Sequence, residues 1–214
     1  MTRATAVQDA ARPAAPGRAA GPGLTPRMLN HLAYVTHDVA ATADFYTRVL
    51  GMELASTIFD DHVPSTGEDF PYFHIFFRMG DGSTIAFFEC TELPPPPKST
   101  HPAYDTFNHV ALQAASPQEL RRWYDWLKQN GVDVLGPVDH KGMLESIYFH
   151  DPNGIRLELT VPTDPAWNGH TEQGYEDLRL WVETKERAKR EGRDPGEALR
   201  EMIREARKRY ASRA

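Results

Sequence analysis

A weak internal repeat constrains this chain more than any other feature of its sequence. His31-Leu-Ala opens one segment and His109-Val-Ala opens a second. Phe45-Tyr46 begins 14 residues after His31, and Trp123-Tyr124 begins 14 residues after His109. Gly51-Met-Glu-Leu54 answers Gly131-Val-Asp-Val134, with two extra residues in the second copy. Such self-similarity marks one supersecondary unit used twice. Each copy reads as a strand, an amphipathic helix, a glycine break and three more strands. Val39, Ala43, Tyr46, Val49 and Leu50 recur at helical spacing in the first copy, and Leu120, Trp123, Tyr124 and Leu127 in the second. Ser116-Pro117 supplies a cap and a first-turn proline, while Gly51 and Gly131 fit helix stops. The proline run 94–97 reads as a stiff linker between the copies.

The surrounding sequence bounds the function. Of 214 residues 40% are hydrophobic, enough for one or two domains of ordinary size. A net charge of -6 gives nucleic-acid binding no electrostatic support. A single cysteine, Cys90, excludes an internal disulfide and a cysteine-based zinc site. No apolar run approaches the ~20 residues that span a membrane, so a cytoplasmic protein without a membrane partner is expected. Residues 1–27 hold Ala, Pro, Gly and Arg with few large apolar side chains, and read as a disordered extension. Residues 28–162 read as one domain of two modules, 28–93 and 106–162. Residues 163–214 read as a helical tail. In it Leu178, Trp181 and Val182 suggest a short helix ending near Gly192. Asp194-Pro195-Gly196-Glu197 then starts another, carrying Leu199, Met202, Ile203, Ala206 and Tyr210.

The segment 138–158 concentrates the chemistry. Asp151-Pro152-Asn153-Gly154 is a tight turn between a strand over 146–150 and a strand over 155–161. Along the outgoing strand Ile155, Leu157 and Leu159 share one face, while Arg156, Glu158 and Thr160 share the other. A glutamate in the middle of a strand that buries its opposite face suggests a metal. Val138, His140, Ile147, Tyr148, Asp151, Pro152, Gly154 and Glu158 together resemble the signature of extradiol ring-cleaving dioxygenases.

Two paired βαβββ modules also resemble the vicinal-oxygen-chelate superfamily, which holds glyoxalases, extradiol dioxygenases, epimerases and bleomycin- and fosfomycin-resistance proteins. The resemblance covers residues 29–161. It implies an α+β fold in which each module curls into a half-barrel, with a metal ligated from first and last strands. Carried over by position, the implied ligands are His31, His109 and Glu158, with Glu89 at the end of the first module's last strand. In the resembled dioxygenases the positions of His140 and Tyr148 lie near substrate, in acid/base and orienting roles. Those enzymes carry a further catalytic histidine on the third strand of their first active module. Phe76-Phe77-Arg78 has none, and neither His74 nor His101 aligns with it.

Coordination number separates the implied chemistries. His31, His109 and Glu158 alone form a facial triad that leaves an octahedral Fe(II) open for a chelating catecholate and O2. With Glu89 bound as well, the remaining two positions suit glyoxalase-type lyase or isomerase chemistry; Mn, Zn or Ni would serve. The expectation is therefore a mononuclear metalloenzyme, dioxygenase-like, acting on a catechol or other vicinal-oxygen small molecule. The alternatives are the four-ligand lyase/isomerase and a non-catalytic, drug-sequestering resistance protein. A homodimer is expected, because paired-module proteins of this superfamily commonly dimerise.

Overall fold

The structure, a computed structural model, describes residues 26–94, 97 and 99–211. Most of the expected N-terminal extension and part of the proline linker lie outside the described residues. Two compact units result, one over Thr25–Trp167 and one carrying the helices that follow Asn168.

The first unit contains both modules. The first runs β1 (His31–Thr36), α1 (Val39–Asp44), β2 (Glu53–His62), β3 (Asp69–Arg78) and β4 (Thr84–Glu89). After a short helix α2 (Pro102–Phe107), the second runs β5 (Val110–Gln113), α3 (Pro117–Gln129), β6 (Leu135–Asp139), β7 (Leu144–His150) and β8 (Arg156–Pro162). The sheet orders are β1-β4-β3-β2 and β5-β8-β7-β6. In each sheet the first and last strands pair in parallel, and the other pairs are antiparallel. The α+β fold of two βαβββ modules is as the repeat implies.

Local sequence accounts for the helix ends. Ser116 Oγ accepts from Glu119 N at 3.1 Å, and Pro117 opens α3 where its missing N–H costs nothing. Asp38 caps α1 through Ala41 N at 2.9 Å. The first helix departs from the expected single α-helix, since Phe45–Val49 form a π-helical turn in which Leu50 N reaches Phe45 O. The wider turn brings adjacent Phe45 and Tyr46 both into the core.

The inner faces of both sheets share one core with these helices. Tyr46 is fully buried, stacked on Phe77 at 5.2 Å and against Phe87 at 5.0 Å, both in the first sheet. Phe45 meets Phe149 of the second sheet at 6.4 Å. Leu120 and Leu127 of α3 are fully buried in the same cluster. Each such side chain contributes roughly 1.5–3 kcal/mol of burial. Trp126 Nε1 donates to Val49 O at 2.8 Å, tying α3 to the first helix. Because the helices pack between inner sheet faces, the opposite faces of the two sheets turn away from the shared core.

The second unit is a helical pair, α4 (Thr171–Arg190) and α5 (Pro195–Ala211). Gly192 makes the positive-φ break, and Asp194 Oδ1 accepts from Gly196 N at 2.7 Å to start α5. The Arg193–Glu201 ion pair, at 2.7 Å, closes the hairpin. Helix α4 is longer than the short helix expected, because Thr171–Glu176 continue the helix without a core-facing apolar pattern. Among the described residues, no helix is long and apolar enough to cross a membrane.

Candidate metal centre

Strand alternation in β8 sends Leu157, Leu159 and Val161 into the core and Glu158 to the outer face. In register, Glu158 lies beside Ala111 of β5 and Tyr148 of β7. His109, two residues before Ala111, therefore shares its face. Glu158 is nonetheless only 4% exposed, so its carboxylate needs partners. Ser146 Oγ donates to Oε1 at 2.5 Å, and His109 Nε2 lies 2.8 Å from Oε2.

The other nitrogen of His109 fixes its role. Nδ1 lies 2.9 Å from the carbonyl of Phe107, which can only accept, so Nδ1 carries a proton. Nε2 then faces the carboxylate either as a second N–H or as a lone pair shared with a cation. Two donors bound about 2.1 Å from a small divalent ion on adjacent corners lie about 3 Å apart. The observed 2.8 Å separation fits that donor set. His31 is prepared in the same way: Nδ1 engages Asn30 Oδ1 at 2.7 Å, and Nε2 has no hydrogen-bond partner among the described residues.

Beside this pair stand the two other residues singled out by the sequence. His140, at the end of β6, has Nε2 2.9 Å from the Tyr148 hydroxyl. The Tyr148 ring meets His109 edge-to-face at 5.9 Å. Burial, and after it the negative charge of Glu158, pushes the Tyr148 phenol up. His109, His140, Tyr148 and Glu158 thus form one cluster.

His31 and Glu89 lie elsewhere. His31 pairs with Thr84 on the outer face of the first sheet, so within one chain it stands on the far side of the core from Glu158. Among the described residues, the one trio of His, Cys, Asp or Glu ligand atoms within 4.8 Å of one another is Asp60-Asp61-His62, exposed on β2. Glu89 is placed differently from His31. It pairs with Thr36 at the other end of β1, on the face of Ile85 and Phe87, opposite to His31. Its Oε1 accepts from Val39 N at 2.9 Å, satisfying an orphan N–H of the first turn of α1. By register the counterpart of Glu158 in the first module is Ala86, which carries no ligand atom.

Two groups, Ser146 and Arg156, were given no role from the sequence, and a third, His74, was set aside there. Ser146 holds Glu158; its signal is that it shares Tyr148's parity on β7. Arg156 lies with its guanidinium 4.2 Å over the Tyr148 ring. His74, on the outer face of the first sheet, is 5% exposed and its Nε2 has no hydrogen-bond partner among the described residues. Burial, then the charge of nearby His31, lowers its pKa to about 4.

The fold and this cluster define a class. The sequence matches the Glyoxalase/Bleomycin resistance protein/Dioxygenase superfamily over residues 28–159, and the chain belongs to that superfamily. It is 29% identical over 132 residues to the metallothiol transferase FosB of Staphylococcus epidermidis, covering 61% of this chain and 81% of that protein. It is 24% identical over 136 residues to the putative ring-cleaving dioxygenase MhqA of Bacillus subtilis, covering 62% of this chain and 40% of that one. Among solved structures, FosX of Listeria monocytogenes, a fosfomycin resistance protein complexed with Mn(II) and sulfate, superposes with a TM-score of 0.46 at 21% identity. The match covers 64% of this chain and 93% of that one.

Proposed function

We propose that this protein is a mononuclear metalloenzyme of the extradiol dioxygenase type, acting on a catechol or similar vicinal-oxygen compound. The observation that carries the reading is His109 Nε2 2.8 Å from buried Glu158 Oε2, with the His140–Tyr148 pair on the same face. His109 and Glu158 would hold the ion with His31. His31 would come from a second copy of the chain, because its own sheet face turns away from Glu158. A homodimer follows from this reading.

A divalent metal bound there supplies Lewis-acid activation of two adjacent substrate oxygens and, as Fe(II), the redox capacity that ring cleavage needs. The protein's own groups do the rest. Phe107 O and Ser146 Oγ orient the two ligands. His140 Nε2 accepts a proton from a substrate hydroxyl as a general base. The Tyr148 hydroxyl, within a hydrogen bond of that nitrogen, orients the same substrate oxygen. The three-ligand set is supported over the four-ligand lyase or isomerase by Glu89, whose carboxylate is engaged by Val39 N.

The test is O2 uptake by anaerobically purified, Fe(II)-loaded protein offered catechols. Uptake with a yellow ring-fission product is expected; none with any catechol would overturn the reading. The likeness to FosB over 81% of that protein favours a second reading, a metal-dependent thiol transferase. Loss of thiol from L-cysteine in the presence of fosfomycin and Mn(II), with no O2 uptake, would establish that one instead.

A further inference from the structure

We propose that Arg156 makes this site selective for an anionic substrate, a vicinal diol that also bears a carboxylate; the inference rests on the metal-and-diol reading above. Arg156 shares the outer face of β8 with Glu158, two residues away. Its guanidinium is fixed from two sides. Nη1 donates to the carbonyl of Thr106 at the end of α2, and the planar group lies 4.2 Å over the Tyr148 ring. Both partners are neutral. No carboxylate among the described residues forms an ion pair with Arg156. The carboxylate oxygens of nearby Glu158 are engaged by Ser146 and His109.

A half-buried guanidinium held rigid without a counter-ion is a preorganised anion receptor, because its remaining N–H groups keep their fork geometry. Arg156 also lines a cavity of about 460 Å³ together with His109, Tyr104 and Phe107. A proposed metal ligand, His109, and the Arg156 guanidinium thus line the same cavity, with Tyr34, Tyr104 and Phe107. Asp105 lines it too, but makes no ion pair with Arg156. A divalent ion held by two neutral imidazoles and one carboxylate keeps a positive charge, and Arg156 adds another. Such a field discriminates against neutral diols and favours those with an acidic substituent.

Calorimetric titration of the full-length, Zn(II)-loaded protein with catechol, 2,3-dihydroxybenzoate and 3,4-dihydroxybenzoate tests this without turnover. Wild-type protein should bind at least one dihydroxybenzoate roughly ten- to a hundredfold more tightly than catechol, the range of a charge-assisted hydrogen bond. In Arg156→Gln that ratio should fall to about one, and Arg156→Lys, which keeps the charge but not the fork, should fall between. A wild-type ratio near one, or a ratio that survives Arg156→Gln, would overturn the proposal. Benzoate separates the two readings. Binding of benzoate through Arg156 with neither diol class bound would overturn the diol reading and keep the anion site. Binding of none of these compounds would overturn both.

Discussion

Glu158 and Glu89 occupy the last strands of their modules and both interrupt apolar runs, yet their carboxylates do different things. Glu158 faces outward among Ser146, His109 and Tyr148, whereas Glu89 faces inward and holds the first N–H of α1. Glu158→Gln should therefore abolish tight metal binding. Glu89→Gln should leave the metal content unchanged and cost less than the ~1 kcal/mol of a lost helix cap, because its amide oxygen still accepts from Val39 N. Metal analysis and urea unfolding of the two variants check this; loss of metal from Glu89→Gln would restore the four-ligand site. His74 makes a second prediction. Its folded pKa of about 4 lies below the ordinary value of 6.5, so the fold favours the neutral ring. Its contribution is complete above about pH 6.5 and is lost as the pH falls toward 4, because the unfolded chain protonates first. The unfolding midpoint of metal-free wild type, minus that of His74→Phe, should fall across this window. A difference independent of pH would contradict the assignment.

Among the elements, β6 illustrates how the site depends on backbone fit. Gly136 has φ +120, and a Cβ there would come 2.8 Å from Ser146 O. Only glycine lets β6 lie this close to the strand whose Ser146 side chain holds Glu158. Gly136→Ala should cost about 2–3 kcal/mol of strain and weaken metal retention, measured by urea unfolding and competition with a chelator. Wild-type stability in this variant would show that β6 can shift freely. The sequence revealed much at this scale. The repeat, the Ser116 cap, the glycine stops and the turn at Asp151 are all local signals, and the structure contains them. The inward placement of Glu89 was not a local signal. Alternation within β4 was legible, but its register against β1 is tertiary, and Ala86, the counterpart of Glu158, has no functional group to draw notice. Helix α2 escaped for a similar reason: its cap is His101, whose Nδ1 accepts from Ala103 N at 3.1 Å, an uncommon N-cap residue. The π-helical turn follows from packing Phe45 and Tyr46 together into the core, which spacing alone did not indicate.

For the whole molecule, one buried network ties the modules together. Asp151 accepts from the backbone N–H groups of Asn153 and Ile155, and from the Tyr46 hydroxyl at 3.2 Å, while Asn153 reaches Thr42 Oγ1 at 3.1 Å. These bonds join the turn between Tyr148 and Glu158 to the first module's helix, and with it they fix which sheet faces turn outward. His31 and the His109–Glu158 pair are thereby kept apart within a chain. The proposed metal site requires that they meet between chains. The most direct test co-expresses differently tagged His31→Ala and Glu158→Gln chains, isolates mixed pairs through both tags, and counts bound metal. Each variant alone should bind none. The mixed pair should hold about one ion, since one of its two sites keeps every ligand. A mixed pair as empty as its parents would contradict the shared site.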